Sequence, residues 1–177
     1  MVFRREAYLA VGGHRKAADS IVEDLLLAQH VKAHGLRWRV INATNLLSCR
    51  MYLNFKEALE GLSKNLFAAF GFRLLPFLFI FLWLAVLFWL PPVLLLGCTV
   101  GWVSEGSPAL WVFCILIAVL IWLLPYHQLR FPVYLAFLYP VTLLFNEWIA
   151  LRSLWMSLSG KLSWKGRRFN RPRWRWV

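Results

Sequence analysis

Two adjacent carboxylates, Glu23 and Asp24, stand where a helical pattern begins. A carboxylate in the first turn of a helix acts as a general base when it faces a cleft. The same pair also serves the helix itself: Ser20-Ile-Val-Glu23 has the spacing of a capping box, and Asp24 suits the positive end of the helix dipole. Upstream, Gly12-Gly13-His14 is a turn whose paired glycines either only reverse the chain or let backbone approach a ligand. His30 and His34, four apart, share a helix face but have no clear third partner for a metal. Arg50 and Tyr52, and later Lys64 and Asn65, are the residue types that meet a phosphate and a sugar; close to a membrane they equally well snorkel toward headgroups. Asp-x-Asp, Walker A and Gly-x-Gly-x-x-Gly patterns are absent.

The elements that must position these groups follow from periodicity. Ile21, Leu25, Ala28 and Val31 recur at helical spacing, and Gly35 supplies a stop, which predicts a helix over 21–34. Leu36-Arg-Trp-Arg-Val-Ile41 alternates and predicts a strand. Asn54-Phe-Lys-Glu57 is a second cap signal. It opens an amphipathic helix over 55–70 with Phe55, Leu59, Leu62, Leu66 and Phe70 on one face, suited to lie along a membrane surface.

The remainder is apolar. Hydrophobic residues make up 60% of the 177 and charged residues 16%, which excludes a disordered tail, a coiled coil and an ordinary soluble domain. Leu74–Ser104 is 31 residues without a charge, too long for one straight span of about 20 residues. Pro91-Pro92 predicts a break, leaving a helix over 74–90 and a shorter element to Val103. Further spans are predicted over 109–129 and 131–151, and Gly97-x-x-x-Gly101 is a weak signal for helix packing. Cys49, Cys98 and Cys114 have no metal-ligand spacing and read as small apolar residues rather than a disulfide framework.

Charge divides the chain. Residues 1–73 hold 11 Lys/Arg and 6 Asp/Glu; residues 74–146 hold only Arg130 and Glu105; residues 147–177 hold 8 Lys/Arg and Glu147. The excess of cations predicts that head and tail both face the cytoplasm, with the connection near Glu105 outside. That needs an even number of crossings, whereas a simple count is three. Either the 74–104 run is a hairpin or a later segment is re-entrant. The aromatic, basic tail from Lys161 suits a headgroup interface. Its composition also suits nucleic acid, but its position directly after a membrane span favours lipid, and nucleic acid is not expected as a partner.

Together these pieces resemble the C-terminal part of membrane-bound family 2 glycosyltransferases, in the branch acting on lipids such as hydroxycarotenoids, hopanoids and ceramide. Phe3-Arg-Arg-Glu-Ala-Tyr8-Leu-Ala-Val-Gly-Gly-His14, Glu23-Asp24-Leu25, Arg50-Met-Tyr52, Gly61-Leu-Ser-Lys-Asn65 and Trp164-Lys-Gly-Arg167 carry the likeness, in that order. It implies a mostly α chain made of a partial α/β A-type glycosyltransferase lobe followed by transmembrane helices. The lobe remnant is residues 1–53, the interfacial helix 54–73, the membrane region 74–151, with three or four segments, and the basic tail 152–177. It also implies an inverting transfer of a sugar from a nucleotide-sugar donor to a membrane-lipid hydroxyl, with Asp24 as general base. Gly12, Gly13, Glu23, Arg50, Tyr52, Lys64 and Asn65 would bind substrate, Arg50 at the leaving diphosphate.

The family's Asp-x-Asp, and the Mg or Mn ion it holds, lie in an N-terminal half that this sequence lacks. No metal is expected in this chain, which would need a partner chain carrying that lobe and be inactive alone. A different reading is a small basic integral membrane protein with an interaction role.

Overall fold

The computed structural model describes residues 1–18, 20–103, 106–164, 167–168 and 174–176. Among them the chain is mostly helical: α1 (Arg5–Ala10), α2 (Gly13–Ala17), α3 (Glu23–Ala33), α4 (Phe55–Ala69), α5 (Leu74–Val100), α6 (Pro108–Gln128), a 3-10 segment (Val133–Leu138) and α7 (Tyr139–Leu158). A two-residue antiparallel ladder, β1 (Ser163–Trp164) with β2 (Arg167–Arg168), follows. The chain divides into two compact units. One contains Met1–Arg73 with Arg152–Arg175; the other contains Leu74–Leu151 with Trp176–Val177.

In the first unit a small core joins Val11, Ala17, Leu27 and Val31, flanked by Phe3, Leu26 and Leu36. The predicted helix over 21–34 forms as Glu23–Ala33, but its inward face is Leu27 and Val31, while Leu25 is exposed. The α1–α2 segment, packed against α3, selects that face. Ser20 does not cap the helix: Val22 is the N-cap residue, so the serine falls two positions too early. The α4 cap forms as expected. Asn54 Oδ1 accepts from Glu57 N at 2.9 Å, and Glu57 Oε2 accepts from Leu53 N at 2.8 Å.

The strand predicted over 36–41 is not formed, and the partial α/β lobe is absent among the described residues. An alternating segment becomes a strand only when a neighbour satisfies its amides, and none pairs with it among the described residues. Trp38, Val40 and Ile41 are left exposed.

α4 buries Gly61, Ser63, Phe67 and Ala68 within its unit, with the end of α7 as one partner. Phe55 and Leu62 of its apolar stripe remain exposed, as an interfacial helix requires.

Three helical stretches are long and apolar enough to cross a bilayer: Leu74–Val100 and Pro108–Gln128 in the second unit, and Val133–Leu158, which runs from the second unit into the first. They support an integral membrane protein. α5 continues through Pro91 and Pro92 rather than breaking there. A proline removes one helix donor, but a complete break in lipid would strand several amides. The hairpin alternative for 74–104 therefore does not form.

Gly97 and Gly101 close α5 rather than join helices. Trp102 N and Val103 N donate to the Gly97 carbonyl, Gly101 takes φ +83°, and a Cβ on Gly97 would stand 2.8 Å from Val103. The third stretch is a 3-10 segment followed directly by α7 instead of one α-helix over 131–151. Phe88, Ala118, Val119, Tyr139 and Leu143 form its shared core. Cys49 is exposed, Cys98 and Cys114 are half-buried, and all three are free thiols.

Candidate functional site

The carboxylate pair opens α3, and both residues are exposed. Asp24 Oδ1 accepts from the backbone N–H of Leu25 at 2.8 Å, so its second oxygen is left for another partner. The preceding turn is crossed by a residue from much later in the chain. Lys64 Nζ, on α4, donates to the Ile21 carbonyl at 3.4 Å. Partial burial lowers the Lys64 pKa from 10.5, and the carboxylates of Glu23 and Asp24 act in the opposite sense. Lys64 therefore lies within electrostatic reach of both. The expected base Asp24 and two of the residues expected to bind substrate, Glu23 and Lys64, are brought together.

The glycine turn is packed from within. Gly12 and Gly13 take φ +78° and +54°. A Cβ on Gly13 would stand 2.5 Å from the Tyr8 ring. The Tyr8 hydroxyl bonds His14 Nδ1 at 2.8 Å and accepts from His14 N at 3.1 Å. Gly13 thus has a structural reason of its own, a tyrosine laid across it. The turn still borders α3, because Val11 and Ala17 pack on Leu27 and Val31.

Arg50 and Tyr52 belong to the approach to α4. Arg50 is exposed and donates to the Leu53 carbonyl at 3.3 Å. Tyr52 lies over Gly61, where a Cβ would stand 2.5 Å from its ring. Asn65 Oδ1 is buried and finds no hydrogen-bond partner among the described residues. The Arg50 hydrogen bond thus stays within its own loop.

His34 Nδ1 bonds the His30 carbonyl at 2.8 Å, which occupies the imidazole locally. Among the described residues no three His, Cys, Asp or Glu converge as a metal site. Among the described residues, Glu23 and Asp24 lie near the Lys64 cation, which opposes a divalent ion. The described residues around Asp24 do not fit the Mg or Mn ion expected of the complete family.

A polar seam beside the site escaped the sequence reading. Ser63, Ser153 and Ser157 are buried. Phe67 N donates to Ser153 Oγ at 2.9 Å, Ser157 Oγ donates to the Ser153 carbonyl at 2.8 Å, and Arg152 Nη1 reaches Ser63 Oγ at 3.5 Å. Small residues four apart, Ser153 and Ser157, were the available signal. The seam fixes the face of α4 from which Lys64 extends. Trp164-Lys-Gly-Arg167 and most of the basic tail fall partly outside the described residues, as does Glu105.

No protein-family model matches this chain, and no curated protein or solved structure does either.

An exposed carboxylate beside an ammonium group, next to a glycine turn and on a unit with an exposed amphipathic stripe, can accept a proton from a hydroxyl delivered along a lipid surface.

Proposed function

We propose that this chain is the C-terminal part of an inverting glycosyltransferase that moves a sugar from a nucleotide-sugar donor to a membrane-lipid hydroxyl. The observation that carries the reading is the Lys64–Ile21 contact, because it joins the Ser-Lys-Asn segment to the Glu-Asp turn across 43 residues. In this reading Asp24 removes the acceptor proton as the hydroxyl oxygen attacks the anomeric carbon. The bond from that carbon to the diphosphate breaks, and the diphosphate leaves with the electron pair. Lys64 holds charge near the carboxylates, and Gly12–Gly13 borders the acceptor. Arg50 meets the diphosphate, and Tyr52 and Asn65 border the substrate. The head faces the cytoplasm, and the donor lobe comes from a partner chain. No step is assigned to a metal on this chain.

The test is transfer of labelled sugar into extracted lipid in membranes containing this chain, with and without a companion polypeptide carrying an Asp-x-Asp nucleotide-binding lobe encoded beside it. Transfer is expected only with the companion, and loss of at least about 100-fold on Asp24→Asn. Transfer that survives Asp24→Asn overturns the assignment of the base.

A second reading, a small basic membrane protein whose head docks on another subunit, is favoured by one observation. Trp38, Val40, Ile41, Leu46 and Leu47 are all exposed along one irregular stretch. Stable association that persists with a companion lacking any nucleotide-binding lobe, without sugar transfer, would select it.

A further inference from the structure

We infer that the third apolar stretch does not cross the membrane: it is re-entrant, so the chain crosses twice and all 20 Lys and Arg lie on one side.

The depth of α7 is fixed by its neighbours. Tyr139, its first residue, packs on Phe88 with ring centroids 5.9 Å apart. Phe88 is the middle of α5, and Ala118 and Val119, in the same cluster, are the middle of α6. If α5 and α6 cross, α7 starts at mid-depth. The approach to it has the right length. From Val119 to Gln128, α6 descends about 14 Å at about 1.5 Å per residue. The chain reverses at Arg130, which takes φ +59°, and Phe131 N donates back to the Tyr126 carbonyl at 2.8 Å. The 3-10 segment then packs along α6 and climbs about 12 Å at about 2 Å per residue. Its i→i−3 bonds satisfy its own amides, which a lipid setting demands.

The far end of α7 lies in the same compact unit as the chain that leads into α5. Ser153 accepts from Phe67 N on α4, which lies just before α5. The tail makes a return of its own. Arg175 N donates to the Phe72 carbonyl at 2.9 Å, and Leu75 N donates to the Trp176 carbonyl at 3.0 Å. Residues 72–75 are the entry to α5, so the end of the tail lies at that entry.

Charge follows the same division. In a three-crossing chain, Glu147 would sit near the centre of a stretch running over Val133–Leu158. A charged side chain there is costly. In the re-entrant path Glu147 is eight residues below Tyr139, about 12 Å of helix, and so within reach of the surface of a bilayer core with a half-thickness of about 15 Å. Three crossings would also separate the 8 Lys/Arg of residues 147–177 from the other 12. Two crossings leave only the connection at 101–107, which has no Lys or Arg, on the opposite side.

The test is side-specific thiol labelling of the full chain in sealed vesicles with a membrane-impermeant maleimide. Exposed Cys49 reports the head. In a background without cysteine, Leu129→Cys, Ser159→Cys and Ser107→Cys report the α6 end, the α7 end and the 101–107 connection; all three positions are exposed. Leu129→Cys and Ser159→Cys should label from the same side as Cys49, and Ser107→Cys from the other. Labelling of Ser159→Cys from the Ser107 side overturns the proposal. Independently of any cysteine substitution, the otherwise unaltered chain with split-reporter strands at both termini gives a second measurement. Complementation of both from one compartment supports two crossings, and from opposite compartments it refutes them.

Discussion

Lys64 Nζ on α4 donates to the Ile21 carbonyl at 3.4 Å, and this one contact brings a lysine to a carboxylate pair 40 residues earlier in the chain. Its consequences are electrostatic before they are catalytic. Burial holds the lysine below its ordinary pKa of 10.5, while Glu23 and Asp24 pull it back up. Asp24→Asn removes part of that pull, so the Lys64 titration should move further down. Isotope-labelled reductive methylation followed by NMR across pH reads the shift directly. No movement of the Lys64 signal would mean that the carboxylate does not sense it.

The same lysine sets a pH dependence. Its folded-state pKa is below 10.5, so between that lowered value and 10.5 the unfolded chain binds more protons than the folded one. Stability should therefore rise with pH through this window, and the cost of burying the cation is fully present below it. Lys64→Met should flatten that part of the profile, as read by unfolding in mixed detergent micelles at a series of pH values.

Gly61 is held small by the Tyr52 ring, 2.5 Å from where a Cβ would stand. Gly61→Ala should cost on the order of 1–3 kcal/mol by overpacking. Tyr52→Ala in the same chain should recover much of that loss, and a double-mutant cycle measures the coupling. Additive losses would show that the ring and the glycine do not share this space.

The α4 start rests on two cap bonds: Asn54 Oδ1 accepts the Glu57 amide, and Glu57 Oε2 accepts the Leu53 amide. Asn54→Ala should cost about 1 kcal/mol, and fraying should show as faster amide exchange in the first turn of α4. Unchanged exchange there would remove the cap from the account of this helix.

Ser153 is fully buried and accepts the Phe67 amide. Ser153→Ala should destabilise the unit by about 0.5–1.5 kcal/mol, whereas exposed Ser159→Ala should do little. Equal effects of the two, by thermal unfolding, would deny the seam its role.

Much of this protein is legible along the chain because it depends on neighbours a few residues apart. The apolar runs give three long helices, the Asn54–Glu57 spacing gives a cap, and the Phe55–Phe70 stripe gives α4. The glycine turn is local in the same way. Where local pattern fails, a distant partner is the reason. Leu36–Ile41 alternates like a strand, yet a strand is made by a second strand, and none pairs with it among the described residues. Ser20 has the spacing of a cap, but α3 begins two residues later, where packing against Val11 and Ala17 sets its inward face.

The sequence by itself determined that this is a helical chain for a membrane, with a basic head, an apolar middle and a basic tail, because composition and periodicity fix how each segment meets lipid and water. Only the tertiary structure decided that Lys64 reaches the Glu23–Asp24 turn, that Tyr52 closes over Gly61, and that α7 begins beside the middle of α5. Those are contacts between residues far apart in sequence, chosen by which helix faces can pack without voids or stranded polar groups. A one-dimensional pattern does not carry that choice.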